Sequence, residues 1–342
     1  MRNVFSKKSK AGIVLGFLTA LALDHQSWAA EVKLSGLIFG QYGQYLSRYD
    51  SAGAEVKNRG DFTITRIYMT GEAKFSDALK GKTVLEGNTS AGNPVYLKNA
   101  FMEYAFCSMA SGVFGLIGTP WNGFEEGIWG RRFVQKVHAD QEGLLASVDK
   151  GVGLLGKLPG GFGEYHATYV NGEGITSAEK TGLNGRHKDA MVRVSVSPMP
   201  EGPLSGLRVH AYAQKGKIAD GDFQKRDTYV GAVSQKTDRY HAMASFIQSK
   251  KGSGAVDVKK AGFSVHGALN FDRGFSVFGR YDGYDPNKDA DDDSYRRGTV
   301  GADYKLADGV RVAVSDQMLT YQTETTVMKN ENQLLFQFEA KF

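Results

Sequence analysis

From residue 31 to the end, apolar and polar side chains alternate in runs of about ten residues. The clearest run is Arg66–Phe75. Ile67, Met69, Gly71, Ala73 and Phe75 fall on one face, and Arg66, Tyr68, Thr70, Glu72 and Lys74 on the other. Val192, Val194 and Val196 alternate with Arg193, Ser195 and Ser197. Leu207, Val209, Ala211 and Ala213 alternate with Arg208, His210, Tyr212 and Gln214. A period of two is the signature of a strand with two unlike faces. The pattern predicts sixteen strands, over 32–46, 61–75, 81–90, 95–107, 112–119, 146–158, 162–171, 187–197, 206–216, 227–236, 239–250, 259–271, 274–284, 295–305, 309–319 and 331–342.

The connections sort by length. Ser76–Lys80, Ser108–Ser111, Pro159–Gly161, Thr237-Asp238, Asp272-Arg273 and Ala307-Asp308 are short turns, with 198–205 the longest of that set. The intervening connections are mostly longer and more polar: 50–60, 91–94, 120–145, 172–186, 217–226, 251–258, 285–294 and 320–330. An even number of strands with short turns at one end and long loops at the other is the plan of an outer-membrane barrel. A sheet facing hydrocarbon has to close, because an unpaired edge would leave its amides without partners. The predicted fold is all-β: a 16-stranded antiparallel transmembrane β-barrel with short periplasmic turns and long extracellular loops. A soluble sandwich or propeller would not sort its loops by length, and the chain has no repeat of blade length.

Composition agrees. Glycine is 43 of 342 residues, nearly twice the usual share, and Tyr and Phe add 36. No apolar run approaches the roughly 20 residues of a membrane helix. Residues 1–29 read as a cleaved signal peptide, followed by a barrel domain over 30–342. Arg2, Lys7, Lys8 and Lys10 precede the apolar stretch Ala11–Leu23, and Ser27-Trp28-Ala29 offers small residues for cleavage. Removing that leader takes away four basic residues and one acid, which lowers the formal charge from +5 to +2. The basic character is therefore mostly the leader's, and no nucleic-acid partner is expected. A single cysteine, Cys107, excludes an internal disulfide framework.

The chain ends Leu334-Leu335-Phe336-Gln337-Phe338-Glu339-Ala340-Lys341-Phe342, an apolar stripe closing on an aromatic residue. This ending resembles the assembly signal of bacterial outer-membrane barrels. The whole mature chain is similar to 16-stranded bacterial porins, and within them resembles the phosphate-selective porin O/P family. Arg66–Phe75 resembles that family's second strand. Leu97–Tyr104 and Gly115–Pro120 resemble the following hairpin, and Val192–Pro198 a later one. The resemblance implies a homotrimer in the outer membrane and a pore narrowed by an inward-folded third long loop. This chain departs from the family's dense lysine and arginine lining, since its mature excess is only +2.

A sixteen-stranded barrel leaves a water channel unless plugged. Loop 120–145 is the longest connection, and Trp121, Phe124 and Trp129 in it argue for packing inside the barrel. Candidate constriction residues are Glu125, Glu126, Arg131 and Arg132 on the loop, facing Arg66, Arg193 and Arg208 on the wall. By parity, nine basic residues point inward (Arg66, Lys74, Arg193, Arg208, Arg280, Arg297, Lys305, Arg311, Lys341) against six acids (Glu72, Glu103, Glu164, Asp282, Asp303, Glu339). That excess predicts weak anion preference. Expected partners are small hydrophilic solutes, inorganic ions, the lipid bilayer and lipopolysaccharide.

Other motifs carry less. Gly151-Val152-Gly153-Leu154-Leu155-Gly156 has dinucleotide-fingerprint spacing, but Lys157-Leu158-Pro159-Gly160-Gly161 follows where a helix is required. Asp285–Asp293 begins like a calcium loop but has Ala290 and Arg296 where glycine and glutamate belong. No two histidines sit at metal-ligand spacing. No cofactor, metal or catalytic residue is expected. The alternatives to a passive channel are a barrel hydrolase and a non-conducting structural or adhesive barrel.

Overall fold

The structure is a computed structural model. It describes residues 30–342 apart from 51, 57–58, 90–93, 173, 176–186, 203, 218–224, 254–255 and 326–327. The leader expected over 1–29 lies outside the described residues. The chain forms β1 (Glu31–Ser47), β2 (Gly60–Lys74), β3 (Leu79–Gly87), β4 (Val95–Cys107) and β5 (Ala110–Gly118). Two short helices follow, α1 (Asn122–Trp129) and α2 (His138–Gln141). Then come β6 (Val148–Leu158), β7 (Gly163–Val170), β8 (Asp189–Val196), β9 (Leu207–Lys215), β10 (Arg226–Lys236) and β11 (Tyr240–Ser253). β12 (Val256–Asn270), β13 (Phe275–Asp285), β14 (Tyr295–Ala307), β15 (Val310–Tyr321) and β16 (Glu331–Lys341) complete the series. Each strand pairs antiparallel with its neighbours in sequence, and β1 pairs with β16, so the sheet closes into a barrel.

The predicted alternation sets the two faces. On β8, Asp189, Met191, Arg193 and Ser195 are buried inside while Ala190, Val192, Val194 and Val196 are exposed outside. Phe114, Val152, Val209, Val265, Val300 and Phe336 belong to the same outward apolar set. An apolar outer wall over a polar interior inverts the soluble arrangement and suits hydrocarbon.

The seam between β1 and β16 shows why glycine is needed there. A Cβ on Gly36 would collide with the ring of Phe342, and one on Gly40 with that of Phe338. The outward aromatic stripe of the last strand therefore lies flat over the glycines of the first. Phe342 and Gly36 also exchange backbone hydrogen bonds of 2.7 and 3.1 Å.

Segment Gly151–Gly156 lies within strand β6, between β5 and β7, so it opens no phosphate-binding helix. Among the described residues no group of three or more His, Cys, Asp or Glu side chains is placed to hold a metal.

Candidate pore constriction

The segment Thr119–Ser147 leaves the top of β5 and folds into the barrel. Its first half is α1, which ends at Gly130 in the left-handed conformation (φ 63°), with the Gly130 amide bonded to Glu126 O at 2.8 Å. Asn122, Glu125 and Trp129 form the buried face of α1. Trp129 is wholly buried, with its ring edge-on to Phe278 (5.9 Å) and His266 (5.1 Å) of the wall. Trp121 packs against Tyr212, and Phe124 against His210.

Polar contacts complete the fastening. The Arg131 guanidinium donates to Asp303 at 2.6 Å, and Arg311 holds the other oxygen of that carboxylate at 2.6 Å. Arg297 pairs with Glu142 at 2.6 Å, and Tyr295 donates to the same carboxylate. Arg280 donates to Lys136 O, Arg311 to Gly130 O, Gln337 and Gln317 to Val134 O, and Arg193 to Pro120 O. Loop carbonyls that a helix or sheet would have satisfied thus find side-chain donors on the wall.

All these partners lie on β8, β9 and β12–β16. The loop meets β1–β4 more sparsely, with the Phe39 ring 6.2 Å from that of Phe133, and between that wall and the loop runs a passage with a volume of about 510 Å3. Gln41, Arg66, Glu86, Tyr96 and Lys98 line the wall side; Arg132, Lys136, Asp140 and Gln141 line the loop side. On the wall, Glu86 lies between Arg66 (3.1 Å) and Lys98 (3.1 Å). Across the gap Arg132 pairs with Glu126 at 2.5 Å and with Asp140 at 3.2 Å. Lys136 is exposed and has no carboxylate within 4.0 Å among the described residues. The passage therefore presents four cations, Arg66, Lys98, Arg132 and Lys136, to three carboxylates, Glu86, Glu126 and Asp140.

The sequence-predicted residues divide between the two sides of the loop. Arg66, Glu126 and Arg132 meet at the passage. Glu125, Arg131 and Arg193 lie on the far side, against the wall. Glu125 is buried, accepts from Trp121 Nε1 at 2.7 Å and lies 3.9 Å from His266. Burial pushes its carboxyl up to about 7, against the pull of Arg280. Arg193 pairs with Glu164 at 2.8 Å and covers the Phe124 ring. Arg208 is half-buried at the lower end of β9, away from the passage residues.

Sequence reasoning did not place Glu86, Tyr96, Lys98 or Asp140 at the passage. Lys98 illustrates the reason. Counting by twos from inward Glu103 puts Lys98 outside. A β-bulge between Leu97 and Asn99 shifts the register and turns it inward, where it also donates to Ser147 Oγ at 3.0 Å.

One arrangement bears on the hydrolase alternative. His210 lies between Ser195 (2.9 Å) and Ser234 (2.8 Å), beneath Phe124. All three are buried, and the position that an orienting carboxylate would take in a catalytic triad holds a serine.

No family model matches the chain, and no curated protein matches it. Solved structures do. The anion-selective porin from Comamonas acidovorans superposes with a TM-score of 0.67 at 15% identity, covering 92% of this chain and 100% of that one. Pseudomonas putida OprB, in its high-pH structure, gives 0.67 at 10% identity, covering 91% and 94%. Trimeric, in-vitro folded OmpT, an outer membrane protein of Vibrio cholerae, gives 0.60 at 12%, covering 92% and 100%. At these identities the likeness establishes the fold: a closed 16-stranded antiparallel barrel.

Proposed function

We propose that the protein is an outer-membrane porin, through which small hydrophilic solutes and ions diffuse passively with a weak preference for anions. The observation that carries this reading is the passage between the loop and β1–β4, with its four cations and three carboxylates. Fixed charges at a narrow point act through little intervening water and bias which ions enter. Three of the four cations are already ion-paired, so the field is modest and the preference general. This argues for broad anion passage over the phosphate selectivity that the resemblance to the porin O/P family would imply. The fold's likeness to an anion-selective porin and to a trimeric outer-membrane barrel supports a homotrimer in the outer membrane. Residues 1–29 act as the cleaved export signal in this reading.

The test is planar-bilayer recording of the purified oligomer under a potassium chloride gradient. Discrete conductance steps, with a zero-current potential of the sign set by chloride, are expected. A folded barrel that stays silent would overturn the channel and favour an adhesive role. A potassium-signed potential would overturn the anion preference alone.

A further inference from the structure

The inward surface of β1–β4 is not uniformly polar. Directly opposed residues of antiparallel strands share a face, and one such row crosses all four strands. Leu37 faces Tyr68, Tyr68 faces Glu86, and Glu86 faces Tyr96. Glu86 is held inside the barrel by Arg66 and Lys98, so Leu37 and the two tyrosines point inward with it. Phe39 faces Arg66 in the row above, and Val84 stands two residues below Glu86. Phe39 and Val84 are buried by their neighbours, while Leu37, Tyr68 and Tyr96 are half-buried. A water-filled lumen is ordinarily walled by polar side chains. Inward Phe278 and Ala268 on the opposite wall pack against Trp129 and Phe133 of the loop. Leu37 packs at the edge of that cluster, and Tyr68 lies next to it in the row.

The order along the strands is fixed. On β2, Tyr68 lies two residues nearer than Arg66 to the short turn after Lys74. The cations of the passage therefore stand on the extracellular side and the apolar strip on the periplasmic side. The Arg66 guanidinium joins the two, with its Cζ 4.9 Å from the centroid of the Tyr68 ring. On the loop, Arg132 and exposed Lys136 line the same passage, and Phe133 reaches Phe39.

We propose that the passage is a binding station for small aromatic monocarboxylates. The ring lies against Leu37 and Tyr68, and the carboxylate meets Lys136, Arg132 and Arg66 above it. One negative charge matches the balance of +1 over the four cations and three carboxylates named above. A second carboxylate on the solute would be repelled by Glu86, Glu126 and Asp140. The ring gains by leaving water for a leucine and a tyrosine face. Small anions such as chloride use only the charged half, so broad anion passage stands and this class is held longest. The inference names a solute class for the proposed channel and rests on that reading.

The test is single-channel recording of the purified full-length oligomer in potassium chloride, with acetate, benzoate or benzyl alcohol added. Benzoate should interrupt the current at a concentration at least about tenfold lower than acetate, because its ring is buried. Benzyl alcohol, with the ring but no charge, should not interrupt it at that concentration. Leu37→Ser and Tyr68→Ser should each lower the preference for benzoate over acetate at least about threefold. Comparing two carboxylates in one variant cancels any change in pore width that both feel. Equal block by the two carboxylates, an unchanged preference in both variants, or equal block by benzyl alcohol would overturn the site. Saturation-transfer NMR of benzoate on the same detergent-solubilised proteins separates the two claims. A silent barrel with Tyr68-dependent saturation transfer supports the site and overturns the channel, and a silent barrel without it overturns both. A conducting barrel with no preference for benzoate overturns the site and leaves the channel.

Discussion

Two walls of the barrel carry the same residue types and use them differently. On β8 and β13–β15, Arg193, Arg280, Arg297 and Arg311 point inward, and each one bonds to the folded-in loop. On β2 and β4, Arg66 and Lys98 also point inward, but they share Glu86 and border open space, with Lys98 reaching the loop only at its last residue, Ser147. The difference lies not in the strands but in what the loop covers. Where it lies, an arginine supplies a donor to a loop carbonyl or, for Arg297, to the Glu142 carboxylate. Where it stands off, the same charge borders open space. Inward orientation alone therefore does not define a pore residue; the boundary of the loop does.

The sharpest way to break this comparison is to detach the loop. Trp129 is its deepest anchor, fully buried between Phe278 and His266. Truncating a buried aromatic of this size costs about 3–5 kcal/mol. Trp129→Ala should free the loop while the barrel, closed by its own ladders, stays folded. Larger, flickering single-channel currents and proteolytic nicking within 119–147 are expected. A quiet, unchanged current would mean that the polar contacts of Arg131, Arg280 and Arg297 hold the loop alone.

How much of this was legible in the sequence follows from the same division. Strand positions and faces were readable, because a period of two reports whichever environment each face meets. All sixteen predicted strands are present, several with ends moved by two or three residues. That the longest loop folds inward was readable from Trp121 and Trp129, large rings with no other place to be buried. Which of its charges face the passage was not. Glu125 and Glu126, and Arg131 and Arg132, are adjacent pairs on one short segment, and only the turn at Gly130 and the wall partners decide their directions. Asp303 draws Arg131 to the wall from far along the chain, and the bulge at Lys98 hides a lining residue from any count by twos. Tertiary partners and register shifts leave no local pattern.

The next prediction separates the two walls by charge. Lys136→Glu reverses the one passage cation that has no carboxylate partner, turning a balance of +1 into −1 on the groups named above. The zero-current potential in a salt gradient should move toward potassium and cross zero. Arg193→Gln removes a charge of the same sign behind the loop, shielded by Phe124 and paired with Glu164. It should leave the potential within a few millivolts of wild type. Equal shifts in both variants would mean that the whole lumen, not the passage, sets selectivity.

The smallest effect is a dependence on pH beneath the loop. Glu125 faces Trp121, just ahead of its helix, and His266, Arg280 and Asp282 on the wall, with Glu126 adjacent. Burial raises its carboxyl from an ordinary 4.5 to about 7, so the docked loop holds the proton more tightly than a released one. Between those values the released loop gives up its proton first. Docking therefore weakens as pH rises from about 4.5 to 7 and is level above that. Buried His138 runs the other way. Its value lies below the usual 6.5, so it weakens docking as pH falls below 6.5. Glu125→Gln keeps the size of the side chain and can still accept from Trp121, but has no proton to lose. Hydrogen exchange of loop amides should speed up between pH 5 and 7.5 in the wild type relative to the variant, after correction for intrinsic rates. Parallel profiles in the two proteins would show that Glu125 stays charged in place, with His266 or Arg280 supplying its counter-charge.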